Sequence, residues 1–251
     1  MRPDPTTGAA GSEGPAAVLP APALPAAVLW DMDGTLVDSE PYWIAAEHEL
    51  VARYGGQWSD ELAHQLVGQD LLYSARFIRA HSPVTLEPVA VVEALAGRVA
   101  EGLATAIPWR PGAAELLEEL GAEGVPCALV TMSWRSLADA LVAALPAGTF
   151  AAVVTGDMVG AGKPDPEPYL LACRMLGVDP GDCVAVEDSP AGVRSAAAAG
   201  VPTVGVPHVV PVPGLPGVVL VDTLAGMTAA RLTELARLAA ADRRLEQVAS
   251  F

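Results

Sequence analysis

Apolar and polar positions change their spacing in blocks along the chain. Residues 1–25 mix Pro, Ala, Gly and Ser without periodicity, which predicts a disordered leader that buries too little apolar surface to offset the entropy of ordering. Ala26-Ala27-Val28-Leu29-Trp30 is a short apolar run that stops at Asp31, Asp33 and Gly34, as expected of a buried strand running into a loop. From 40 to 105 the spacing is helical, punctuated by Gly55-Gly56, Gly68, Ser82-Pro83 and Pro88, and predicts a compact helical insertion. After Pro108 the two signals alternate. The pattern predicts helices over 111–122, 134–145, 166–176 and 190–199, interleaved with strands over 125–131, 151–155, 183–187, 203–206 and 218–221; an amphipathic helix over 228–248 follows. Pro111, Pro166 and Pro190 are expected in first helical turns, where a missing N–H is harmless, and Ser189 can cap. Such alternation predicts an α/β fold, a parallel sheet with helices on both faces. No repeat of solenoid length is present.

Composition narrows the function classes. At 251 residues the chain suits one domain with an insertion, or two small ones. Its 14 Lys+Arg against 30 Asp+Glu leave a net charge of -16, a field that repels phosphate backbones and anionic bilayers. No nucleic-acid or membrane partner is therefore expected, and an anionic substrate needs a local cation. The apolar stretch 16–30 is broken by Pro20, Pro22 and Pro25 and preceded by Asp4 and Glu13, so neither a signal peptide nor a spanning helix is expected. Cys127, Cys173 and Cys183 form no C-x-x-C pair and read as reduced structural thiols of a cytoplasmic protein.

In an open parallel sheet, ligands bind beyond the carboxyl ends of the strands. The successive strand ends here deliver Asp31 and Asp33, then Thr131 and Ser133, then Asp157 and Lys163, then Glu187 and Asp188. Carboxylates, hydroxyls and one lysine, without histidine, suit a hard cation and phosphoryl chemistry better than zinc. Asp31 and Asp33, two apart on extended backbone, point to one face, so one can attack while the other moves protons. Crowded carboxylates call for an oxygen-loving divalent cation, with Mg²⁺ the first choice. Lys163 then offsets the remaining charge and holds phosphoryl oxygens, with Thr131 as a hydrogen-bond donor. Singly, each residue has a plainer reading: a turn, a solvated lysine, acids at a helix N-terminus. Their joint occurrence in strand order favours the site.

The segments 31–40 (Asp-Met-Asp-Gly-Thr-Leu-Val-Asp-Ser-Glu), 129–131 (Leu-Val-Thr), 162–166 (Gly-Lys-Pro-Asp-Pro) and 186–192 (Val-Glu-Asp-Ser-Pro-Ala-Gly) resemble the four ordered motifs of the haloacid dehalogenase-like hydrolase superfamily. The likeness is to its β-phosphoglucomutase-like phosphatase branch and spans 28 to about 221. It implies a Rossmann-like core over 26–39 and 106–251 with a helical cap inserted at 40–105. By the same resemblance Asp31 is the nucleophile, Asp33 the general acid/base, Thr131 the phosphate-binding hydroxyl and Lys163 the charge-stabilising lysine; Ser133, from the same strand end as Thr131, is expected to bind substrate with it and Lys163. Asp188, with Glu187 beside it, would hold Mg²⁺ together with Asp31 and the backbone carbonyl of Asp33. The superfamily's dehalogenases lack a second motif-I aspartate, so Asp33 points to phosphoryl transfer.

Two departures favour simple hydrolysis over mutase chemistry. Trp43 stands where sugar phosphomutases of this branch carry a histidine, and Leu66-Val67-Gly68-Gln69-Asp70-Leu71 has no cation for a second phosphate. The expectation is an Mg²⁺-dependent phosphatase of a small phosphorylated metabolite, monomeric or weakly homo-oligomeric. The alternatives are a sugar phosphomutase and a catalytically idle binding module. Gly160-Ala161-Gly162-Lys163 lacks P-loop spacing, and no G-x-S-x-G elbow occurs. His48, His64, His81 and His208 lack ligand spacing and read as surface or packing residues. The five tryptophans read as core or interface, with Trp43, Trp134 and Tyr42 as candidates to line a substrate cleft.

Overall fold

The computed structural model describes residues 23–67 and 69–249, without the side chains of 247–249. Most of the expected leader, and Gly68, lie outside the described residues. Strand β1 (Val28–Trp30) is flanked by β2 (Cys127–Val130) and β4 (Val184–Glu187). Outside β2 lies β3 (Ala152–Val154), and β5 (Thr203–Gly205) and β6 (Val218–Leu220) follow β4 on the other side. All neighbours are parallel, in the order β3-β2-β1-β4-β5-β6, with Val28 in register with both Cys127 and Val184. The strands are short and buried on both sides, which is why they read as continuous apolar runs rather than alternating ones.

Alternate strand residues feed two separate cores. Val28, Trp30, Cys127, Leu129, Val184 and Val186 pack against α5 (Ala113–Ala122), α6 (Arg135–Ala143) and α9 (Ala229–Ala249). Leu29, Ala128, Val130 and Ala185 face α7 (Glu167–Leu176) and α8 (Pro190–Ala199). The expected α/β architecture is thus present, with element ends displaced by a few residues. Pro111 lies outside its helix, which opens at Ala113 after Gly112, and Pro166 sits one residue before α7. Pro190 opens α8, and Ser189 caps it by accepting from Gly192 N at 3.0 Å.

Between β1 and α5 the chain forms α1 (Glu40–Arg53), the short α2 (Asp60–Ala63), α3 (Leu71–His81) and α4 (Pro88–Thr105). Helix α4 packs on α1 and α3, and also reaches α6 of the sheet-bearing part. Entry and exit run side by side. Val37 bridges Trp109, Asp38 N donates to Pro108 O at 2.8 Å, and Arg110 N donates to Leu36 O at 2.8 Å. The insertion therefore starts and ends directly above the carboxyl end of β1. No described helix is long and apolar enough to cross a membrane, and all three cysteines are buried and free.

Candidate active site

Asp31 follows the last residue of β1, and its backbone N–H still donates to Val186 O at 3.0 Å, so the central strand pair fixes its position. Lys163, from the loop after β3, turns its ammonium inward: its side chain is 5 % exposed. The Nζ donates to Asp31 Oδ1 at 2.7 Å, Glu187 Oε1 at 2.6 Å and Val130 O at 2.8 Å, using all three of its protons. It is the only lysine in the chain. Burial would lower its pKa, but the charges of Asp31 and Glu187 prevail and hold it above the usual lysine range.

Glu187, the last residue of β4, is fully buried. Besides Lys163, its carboxylate accepts from Tyr169 OH at 2.7 Å and Ser189 Oγ at 3.2 Å. A Cβ on Gly192 would collide with this carboxyl, so the first turn of α8 must carry glycine for Glu187 to fit. Carboxyl oxygens of Asp31, Glu187 and Asp188 lie within 4.8 Å of one another. Thr35 Oγ1 spans two of them, 2.8 Å from Asp31 Oδ2 and 3.4 Å from Asp188 Oδ1. Gly34, at φ +90°, leaves the space that Asp188 fills. Burial, then the neighbouring carboxylates, push Asp188 up to about 9. Burial and Glu187 likewise push Asp31 up to about 7 against the pull of Lys163.

Asp33 faces the other side of the cluster. Its Oδ1 accepts from Ser39 Oγ at 2.5 Å and its Oδ2 from Ser133 Oγ at 2.7 Å, with Thr131 Oγ1 at 3.4 Å. Thr131 in turn accepts from Ser133 N at 3.0 Å, which locks the turn after β2. The structure thus brings Asp31, Asp33, Thr131, Ser133, Lys163, Glu187 and Asp188 to one edge of the sheet. Asp157 does not join them: it is exposed and accepts from Arg135 N at 3.1 Å, capping α6, and from Thr155 Oγ1 at 2.6 Å.

Tyr169, Thr35 and Ser39 are contacts that the spacing of residues does not single out. For Tyr169 one signal existed, since a phenol on the apolar face of a buried helix needs a partner for its hydroxyl. Of the proposed cleft residues, Tyr42 donates to Ala106 O at 3.0 Å and tethers the base of the insertion, while Trp43 and Trp134 are half-buried against the core. His208 Nε2 lies 3.2 Å from Asp38 Oδ1, and His48 Nε2 lies 2.9 Å from Asp60 Oδ1.

A family model for haloacid dehalogenase-like hydrolases matches residues 25–200. The chain belongs to that family. It is 38% identical over 187 residues to hexitol phosphatase A of Escherichia coli K12, covering 68% of this chain and 78% of that one. The plasmid-encoded protein CbbY of Cupriavidus necator is 36% identical over 200 residues, covering 72% and 78%. Among solved structures, CbbY from Rhodobacter sphaeroides in complex with phosphate superposes with a TM-score of 0.69 at 29% identity, over 80% of this chain and 96% of that one.

Proposed function

We propose that this hydrolase cleaves small phosphomonoesters, sugar phosphates or similar metabolites, through an aspartyl-phosphate on Asp31. It acts on phosphoric ester bonds, as its relative hexitol phosphatase A does by name. The observation that carries the reading is the single buried lysine joining Asp31 to Glu187, with Asp33 held beside them by two serine hydroxyls.

The Asp31 carboxylate attacks phosphorus, and Asp33 gives its proton to the departing alkoxide, releasing the alcohol. Asp33 then takes a proton from water as the water attacks the acyl phosphate, which frees phosphate and restores Asp31. Thr131, whose contact with Asp33 is long, donates to the phosphoryl oxygens, Ser133 keeps Asp33 in place beside them, and Lys163 offsets their charge. Glu187 has its oxygens taken by Lys163, Tyr169 and Ser189, so its part is to fix the lysine.

The donor set fits Mg²⁺. Three carboxyls meet, two of them bonded to Lys163, and the raised affinity of Asp31 and Asp188 for protons reflects burial first and then neighbouring negative charge, which a hard cation would relieve. Asp31 and Asp188, next to Glu187 and with the main-chain carbonyl of Asp33, would hold it; when bound, the ion neutralises charge on the phosphoryl group. The helical insertion serves as a cap that excludes bulk water.

The test is turnover of p-nitrophenyl phosphate and a panel of sugar phosphates with Mg²⁺. Asp31→Asn should abolish phosphate release from every ester cleaved by the wild type, and retained turnover overturns the nucleophile assignment.

A further inference from the structure

Lys163 reaches its three oxygen partners from a turn that closes on a methionine. Because the ammonium is 2.7 Å from Asp31, 2.6 Å from Glu187 and 2.8 Å from Val130 O, the site depends on where the backbone of residue 163 sits. That backbone is held by sulfur: Lys163 N donates to Met132 Sδ at 3.3 Å. The turn crosses the thioether closely, since a Cβ on Gly162 would lie 2.8 Å from the same sulfur. Met132 stands between Thr131 and Ser133, and Gly156 passes so near that a Cβ there would lie 2.3 Å from Met132 O. The start of the turn is anchored separately, on Glu167, whose carboxylate accepts from Gly160 N at 3.0 Å and Ala161 N at 2.8 Å.

Met132 is only half-buried, so this contact is open to reagents from solvent. A peroxide passes one oxygen to a thioether: the O–O bond breaks, an S–O bond forms, the sulfur loses two electrons and the peroxide leaves as water. The sulfoxide is bulkier and polar. An oxygen placed between the sulfur and Lys163 N needs about 2.7–3.2 Å to the nitrogen in addition to its own bond to sulfur. The present 3.3 Å does not hold both, and the close passage of Gly162 leaves no slack. An oxygen turned to water instead swings the sulfur away and leaves the Lys163 N–H without its acceptor. Either way the turn shifts. A displacement on the order of 1 Å suffices to cost a well-aligned site up to about a hundredfold in rate.

We propose that Met132 is a modification site: hydrogen peroxide converts its thioether to the sulfoxide, which displaces the Lys163 turn and switches the site off reversibly. The switch acts on the site of the phosphatase reading and rests on that reading for its activity readout. Met158 and Met175, 40 % and 48 % exposed, are the natural references, because an oxidant reaches them more readily than Met132. The three cysteines, all buried, are separated from the effect by their chemistry, since a thiol reagent reverses disulfides and sulfenic acids but not methionine sulfoxide.

The experiment treats wild type and Met132→Leu with hydrogen peroxide, removes the peroxide, incubates both with dithiothreitol, and assays p-nitrophenyl phosphate with Mg²⁺, each against its own untreated rate. Peptide mass spectrometry reads the added oxygen at each methionine. Wild type should lose at least about tenfold in kcat/KM, in step with the fraction of Met132 oxidised and with an unchanged far-ultraviolet circular dichroism spectrum. Methionine sulfoxide reductases A and B should restore the rate. Met132→Leu, oxidised equally at Met158 and Met175, should keep its own rate. Equal loss in Met132→Leu, full activity with Met132 oxidised, Met132 untouched while Met158 and Met175 are oxidised, or loss of the helical spectrum each overturns the proposal. If Met132→Leu fails to fold, Met158→Leu/Met175→Leu decides: its inactivation must still track the sulfoxide at Met132. Untreated protein that cleaves no phosphate ester overturns the phosphatase reading alone. The switch is then judged by the urea midpoint of metal-free protein, which should fall on oxidation of Met132 as the buried acids lose Lys163; an unmoved midpoint refutes it.

Discussion

At the scale of single residues, Lys163 is the clearest case of position set by electrostatics. The chain uses arginine for every other cation besides histidine, and several outward-facing ones form exposed pairs such as Arg53–Glu49 and Arg98–Glu101. Such pairs add little. The one lysine is buried, where its three protons meet three oxygens. Lys163→Met should abolish turnover and lower the unfolding free energy of metal-free protein by about 3–5 kcal/mol, because two buried acids lose their counter-charge; denaturant titration near neutral pH checks it. That Asp31, Asp33 and Lys163 meet at one edge of the sheet could be inferred from residue type and order. The hydrogen bond from Tyr169 to Glu187 could not, because sequence does not say which buried hydroxyl meets which buried acid.

At the scale of elements, local preference and tertiary demand part company at two helices. In α8, glycine at 192 is a poor helix former, and replacing it with alanine would ordinarily stabilise by about 1 kcal/mol. Here the added methyl takes the space of the Glu187 carboxyl. Gly192→Ala should therefore destabilise and impair turnover, as thermal melts and steady-state rates would show. In α1, Glu47 stands 4 % exposed against Trp58. Burial pushes its pKa from the ordinary 4.5 up to about 7, despite the indole hydrogen bond. The folded state then holds a proton that the unfolded chain has released. This contribution is complete below about pH 4.5 and is lost as pH rises towards 7. Glu47→Gln keeps an acceptor for the indole and cannot ionise. Its stability should vary less over that range and exceed wild type at pH 8, on the order of 1–3 kcal/mol; chemical denaturation at pH 5 and pH 8 checks the sign. Element type was legible because helical spacing and buried apolar runs are local signals. The start of α5 at Ala113 rather than Pro111 was not, since the turn before it depends on how the chain returns from the insertion.

At the scale of the molecule, a charge of -16 surrounds a site that takes an anion. Added salt screens that repulsion, with a Debye length falling from about 30 Å at 0.01 M to about 10 Å at 0.1 M. With Mg²⁺ held saturating, kcat/KM for a phosphomonoester should rise over this range, and a fall would mean that the local field at the site mouth is positive. Sequence alone determined the α/β alternation, the helical insertion and the list of strand-end acids, because each is written in the spacing of neighbouring residues. Only the tertiary structure decided which acids share Lys163, why residue 192 must be glycine, and that Asp157 caps a helix instead of joining the site. Those outcomes depend on distances between segments far apart in the chain, which the packing of six strands and their helices sets.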